Sequence, residues 1–118
     1  MGGDKMLTVE NLKNYGAEPE KGILRCGNNE QLYLRLVKMV IDELASDALG
    51  EALRAGDPDK AFQIAHKLKG GVSNVALTPV AGPISMLTEM LRNKTLSDYK
   101  KQYDEIVKET EKLIALTR

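Results

Sequence analysis

The stretch that decides the fold runs from Asp57 to Ala76; its centre reads Ala65-His66-Lys67-Leu68-Lys69-Gly70-Gly71 and holds the chain's single histidine. Asp57-Pro58 predicts a helix start, because an aspartate side chain caps the free amides of a first turn and a proline at the next position needs no donor there. Ala61, Ile64, Ala65, Leu68, Val72 and Val75 then recur at spacings of three and four. At roughly 100° per residue they form one apolar stripe, the expected buried face. Measured from the middle of that stripe, His66 falls roughly 140° round the helix, Gly70 roughly 180°, Ser73 about 120° and Lys69 about 80°. The histidine is therefore expected to point outward.

A lone outward histidine is usually idle, and what distinguishes this one is its neighbours. Gly70, one turn further along, has no side chain and leaves the flank of the imidazole open, although glycine inside a helix costs about 1 kcal/mol relative to alanine. Gly71 adds a second such penalty. Two helix-weakening residues on an otherwise clean helix suggest a surface selected for access as well as stability. Lys67 and Lys69 place cations near the ring, and Lys69, at i+3, shares its side of the helix.

The run His66-Lys67-Leu68-Lys69-Gly70, preceded by Ala65 and followed by Ser73-Asn74, resembles the His-x-Leu-Lys-Gly signature of histidine-containing phosphotransfer (HPt) domains. The resemblance extends upstream through Gly22-Ile23-Leu24-Arg25, Asn29-Glu30-Gln31-Leu32-Tyr33 and Gly56-Asp57, and downstream to Leu87 and Arg92. It covers most of the chain. Two positions depart from it: Ala76 stands where glycine is common, which bears on how the helix ends, and Thr88 stands where an acidic residue is common, which bears on a peripheral contact.

The totals suit such a module. A length of 118 residues fits one domain of ordinary size. Hydrophobic residues at 42% and charged residues at 29% describe a globular chain, and aromatics at 4% with no tryptophan require an aliphatic core, which favours packed helices. Seventeen basic and seventeen acidic residues cancel, so no single-sign field recruits nucleic acid or an anionic membrane. Cys26 is the only cysteine and His66 the only histidine, which excludes an internal disulfide and leaves no plausible zinc set. Cys26 reads as a small buried residue or an idle thiol. No apolar run approaches the roughly 20 residues that span a bilayer. With no secretory signal, a cytoplasmic location is expected.

Outward from the histidine helix, the pattern is helical throughout. Thr8 is a candidate cap for a helix over Val9 to Asn14, and Pro19 begins another through Arg25, with Leu7, Leu12, Ile23 and Leu24 as apolar anchors. Asn29 caps a longer helix with Leu32, Leu36, Met39, Val40 and Leu44 on its apolar stripe. Ser46-Asp47 marks a kink or a restart, and Ala55-Gly56 a stop. Thr78-Pro79 repeats the cap-plus-proline device and opens a helix with the stripe Val80, Ile84, Leu87 and Leu91, closed by Asn93-Lys94-Thr95. Thr95 or Ser97 caps the last helix, whose apolar positions are Tyr99, Tyr103, Ile106, Val107, Leu113 and Leu116. Four long amphipathic segments on short turns, with no strand-like alternation, predict an all-α, antiparallel up-down-up-down four-helix bundle. In this reading residues 29–118 form the bundle and residues 1–28 a helical lid over one end of a single domain.

No Walker-type glycine loop, no Asp-Phe-Gly and no nucleotide-binding strand-turn-helix is present, which argues against autonomous ATP use and against an autokinase site. An exposed neutral imidazole, with an unperturbed pKa of about 6.5, is a nucleophile near physiological pH. The resemblance implies that His66 accepts a phosphoryl group from a receiver-domain aspartate and passes it to another, in a phosphorelay fed by a hybrid histidine kinase. It further implies that Lys69 offsets phosphoryl charge, that Gly70 clears room for the receiver, and that magnesium belongs to the receiver, with no cofactor on this chain. Lys67, Gln63, Ser73 and Arg92 are candidate docking or rim residues, although an idle solvated position is the commoner reading of a lysine such as Lys67 or a glutamine such as Gln63. Phe62 and Met86 suit either receiver contact or the core. The alternatives are a phosphorylation-independent adaptor that binds a receiver, and the phosphoacceptor domain of a chemotaxis-type kinase. Charge balance and bundle architecture point to a monomer.

Overall fold

The computed structural model describes residues 6–94 and 99–117. The described residues are all-helical: α1 (Val9–Tyr15), α2 (Pro19–Arg25), α3 (Glu30–Ala45), α4 (Ala48–Arg54), α5 (Pro58–Asn74), α6 (Thr78–Arg92) and α7 (Tyr99–Ala115). The capping chemistry of the sequence accounts for most of the starts. Thr8 and Asn11 cap each other's backbone amides at 3.0 Å at the head of α1. Asn29 accepts from the Leu32 amide at 3.0 Å at the head of α3, and Asp57 from the Lys60 amide at 3.1 Å at the head of α5.

The long helices touch in a closed circuit: α5 packs on α6, α6 on α7, α7 on α3 and α3 on α5, while α4 packs on α5. One core cluster links them, running from Leu12 through Val37, Ala65 and Ile84 to Leu113. It is aliphatic apart from Tyr33, which is fully buried and donates its hydroxyl to the Val75 carbonyl at 2.9 Å. The Tyr33 ring lies so close to Gly22 of α2 that a side chain there would collide with it, so the glycine permits the approach of α2 to α3. Arg25, at the end of α2, donates to the carbonyls of Ser73 at 2.7 Å and Asn74 at 3.2 Å, which satisfies the exposed end of α5.

Several expectations are corrected. The buried stripe of α3 is Tyr33, Val37, Val40, Ile41 and Leu44; Leu32 and Leu36 are only half-buried and Met39 is 55% exposed. The stripe is rotated because Tyr33 must reach both α2 and the Val75 carbonyl. Leu24 is 68% exposed and anchors nothing. Thr78 does not cap α6: the cap position is Leu77, and the Thr78 hydroxyl instead donates to the Glu18 carboxylate at 2.9 Å. Thr88 is no peripheral residue but fully buried, its hydroxyl donating to the Ile84 carbonyl at 2.7 Å. At Ser46-Asp47 the helix stops and restarts, with Asp47 in the left-handed region at φ 56°. There Asp47 accepts from Tyr103 of α7 at 2.6 Å and from Arg54 at 2.9 Å. Although burial opposes it, these donors hold the Asp47 carboxyl below its usual range.

The helix of His66 ends at Asn74, short of the expected Ala76, because Ala76 turns left-handed at φ 59°. The Leu77 amide then reaches back to the Val72 carbonyl at 2.9 Å, the reversal that glycine usually supplies. A cap at Thr95 or Ser97 lies outside the described residues.

Candidate functional site

His66 sits in the middle of α5 and is exposed, as its helical phase requires. The buried stripe beneath it is Ala61, Ala65, Leu68 and Val72, with Ile64 half-buried beside them, so the helix is held from one side and presents the imidazole on the other. Gly70 is exposed, and a side chain built there would meet nothing within 4 Å. The imidazole therefore borders a bare strip of helix one turn long. Gly71 is half-buried beside Val40 of α3, where a Cβ at its position would lie 3.5 Å from that side chain, an ordinary contact.

The two lysines divide. Lys69 is half-buried on the same side of α5 as His66 and makes no ion pair or hydrogen bond among the described residues, leaving its ammonium available to an incoming anion. Lys67 points to the other flank and pairs with Glu43 of α3 at 3.6 Å. Gln63 and Ser73 are exposed on the outer face of α5 with His66; the Ser73 carbonyl is the one held by Arg25.

Arg92 comes to this region from α6. Its Nε is paired with Glu89 at 3.3 Å, and its guanidinium carbon lies over the Phe62 ring at 5.2 Å from the centroid. The Phe62 ring in turn stacks on the imidazole of His66, with centroids 5.8 Å apart and planes inclined by 20°. The sequence left Phe62 open between a core and a docking role; its position one turn before the histidine was the signal for this contact.

The described residues contain no cluster of three histidine, cysteine or acidic side chains placed to hold a metal. The best-formed depression, about 190 Å³, lies between α3, α4, α5 and α7; Leu44, Leu49, Ile64, Leu68 and Ile106 line it, and none of the candidate site residues does. The surroundings of His66 are thus those of an open surface: one exposed imidazole, on its side a lysine without an ion pair or hydrogen bond among the described residues, and room for another macromolecule to approach. Among the described residues no helix is long and apolar enough to cross a membrane.

The family model described as Hpt domain matches residues 35–116, which takes in all of α4 to α7 and most of α3. The match begins after residues 22–33, which carry the first two upstream stretches of the resemblance, and takes in the third, Gly56-Asp57. No curated protein and no solved structure matches the chain.

Proposed function

Because the chain belongs to the Hpt domain family, whose members carry phosphoryl groups on histidine in phosphorelays, we propose that His66 is its phosphoacceptor. The observation that carries this reading is the exposure of His66 beside the open space over Gly70. In the reaction we envisage, a ring nitrogen of neutral His66 attacks the phosphorus of an aspartyl phosphate on a receiver domain. The nitrogen–phosphorus bond forms as the bond to the aspartyl oxygen breaks, the aspartate leaves as carboxylate with the electron pair, and the other ring nitrogen keeps its proton. The reverse step delivers the group to the aspartate of a second receiver.

Such transfer depends on positioning and charge stabilisation. Lys69 supplies the charge, since its ammonium has no other partner among the described residues. Gly70 supplies the room, and Gln63, Ser73 and Arg92 form the rim that a receiver meets. Lys67, paired with Glu43, is a peripheral contact in this reading. The divalent cation belongs to the receiver, and a hybrid histidine kinase feeds the relay; this chain uses no ATP. We read the circuit of helix contacts as an up-down-up-down four-helix bundle in a single domain, with the described residues of the 1–28 segment as its lid, acting as a cytoplasmic monomer.

A receiver domain carrying labelled acyl phosphate, mixed with this protein and magnesium, is expected to pass label to it. His66→Gln is expected to abolish labelling while leaving helicity and melting nearly unchanged, because the side chain is outside the core. Labelling that survives the substitution overturns the proposal. Receiver binding that is indifferent to His66→Ala, without any phosphohistidine, identifies an adaptor instead.

A further inference from the structure

We infer that Phe62, held by Arg92, is a positioning residue that fixes the imidazole of His66 for phosphoryl transfer. The inference rests on the reading of His66 as phosphoacceptor. It comes from the three-member contact in which the Phe62 ring stacks on His66 at 5.8 Å and 20° while the Arg92 guanidinium covers the same ring at 5.2 Å.

A histidine that projects from a helix into water has more than one staggered χ1 state open to it, and its ring turns freely about χ2. Only some of these orientations point a ring nitrogen in line with an incoming phosphorus. The rate of transfer scales with the fraction of time spent in them. The Phe62 contact removes much of this freedom. Its separation and near-parallel planes lie within the range in which aromatic pairs attract. Phe62 is itself steadied from two sides: part of its surface packs against the core cluster, and Arg92, tied to Glu89 on α6, sits over its ring. Orientation set by α6 is thus transmitted through a half-buried phenyl ring to an exposed imidazole. Phe62 does not touch the reacting atoms in this scheme; it acts through His66.

A stacked pair of ordinary strength holds the competent orientation by roughly a three- to tenfold preference, and that is the loss of rate expected when it is removed. The variants are Phe62→Leu, which keeps an apolar side chain of similar bulk without the ring; Phe62→Tyr, which keeps the ring; and the surface change Arg92→Gln. His66 is the only histidine, so its ring C–H proton resonances are read directly in the unphosphorylated protein. Phe62→Leu is expected to move these resonances as the phenyl ring current disappears, and to slow transfer from a labelled receiver about three- to tenfold. Phe62→Tyr is expected to restore both, and Arg92→Gln to give a smaller change of the same sign in each. Resonances unmoved by Phe62→Leu and Arg92→Gln overturn the stack. Resonances that move with transfer rates unchanged overturn its role. Labelling that persists in His66→Gln is a separate failure, that of the acceptor assignment, and the resonances distinguish it from the other two.

Discussion

Replacing Gly70 by alanine is expected to change stability and function in opposite directions. The new methyl group would meet nothing within 4 Å, so it causes no clash and buries no surface. What remains is backbone entropy: alanine is better than glycine by about 0.8–1.0 kcal/mol in a helix interior, and position 70 lies well inside the Pro58–Asn74 helix. For a chain of 118 residues, unfolding entropy near the midpoint is about 0.25 kcal/mol/K, so the gain raises Tm by about 4 °C. The same methyl group stands one turn from the imidazole, on the strip that a receiver would cover. A displacement of about 1 Å in the approach is sufficient to cost transfer tenfold or more. The assay pairs thermal melting by circular dichroism with transfer from a labelled receiver. A destabilised Gly70→Ala refutes the open face. A stabilised variant that transfers at the wild-type rate refutes the idea that the bareness of residue 70 serves access.

Other substitutions separate the remaining contributions. Lys69→Ala is expected to slow transfer about tenfold through loss of a charge-assisted contact, whereas Lys67→Ala, which breaks an exposed pair with Glu43, changes it by less than about twofold; equal effects in a transfer assay would contradict this division. Gly22→Ala drives a methyl group into the Tyr33 ring, and urea titration is expected to show a net loss of about 2 kcal/mol despite the better helix former. Tyr33→Phe leaves the Val75 carbonyl without its donor and is expected to cost about 1–2 kcal/mol at neutral pH. Burial pushes the Tyr33 hydroxyl up to about 12, above its ordinary value of about 10, so the stability it adds is complete below pH 10 and disappears as pH rises from about 10 to 12. The alkaline loss of stability should therefore be shallower in Tyr33→Phe. It is not expected to vanish, since burial and the neighbouring Glu109 carboxylate also raise Tyr15.

The starts of α1, α3 and α5 and the outward direction of His66 were legible because both depend on information held within a few turns of chain. Capping at Thr8, Asn29 and Asp57 involves residues three apart, and the phase of His66 follows from the spacing of its own helix's apolar residues. Where the buried stripe of α3 and the cap of α6 were misread, the deciding contact was remote. On α3, Leu32, Leu36 and Met39 make as good a stripe as Tyr33, Val37 and Ile41 by periodicity alone. The choice fell to the latter because Tyr33 finds a carbonyl 42 residues away, at Val75, and a glycine in α2 that makes room for its ring. Thr78 has the residue type of a cap, yet its hydroxyl serves Glu18, 60 residues earlier.

The candidate site divides along the same line. Periodicity alone determined that the chain is helical, that His66 faces water and that Lys69 and Gly70 lie near it, since a helix repeats every 3.6 residues whatever it packs against. Only the tertiary structure decided that Lys67 pairs with Glu43, that Gly71 lies beside Val40 of α3, and that Arg92 and Phe62 meet beside the histidine. Those pairings depend on which helices become neighbours, and that is set by burying the apolar faces of all of them at once, a condition no single segment contains.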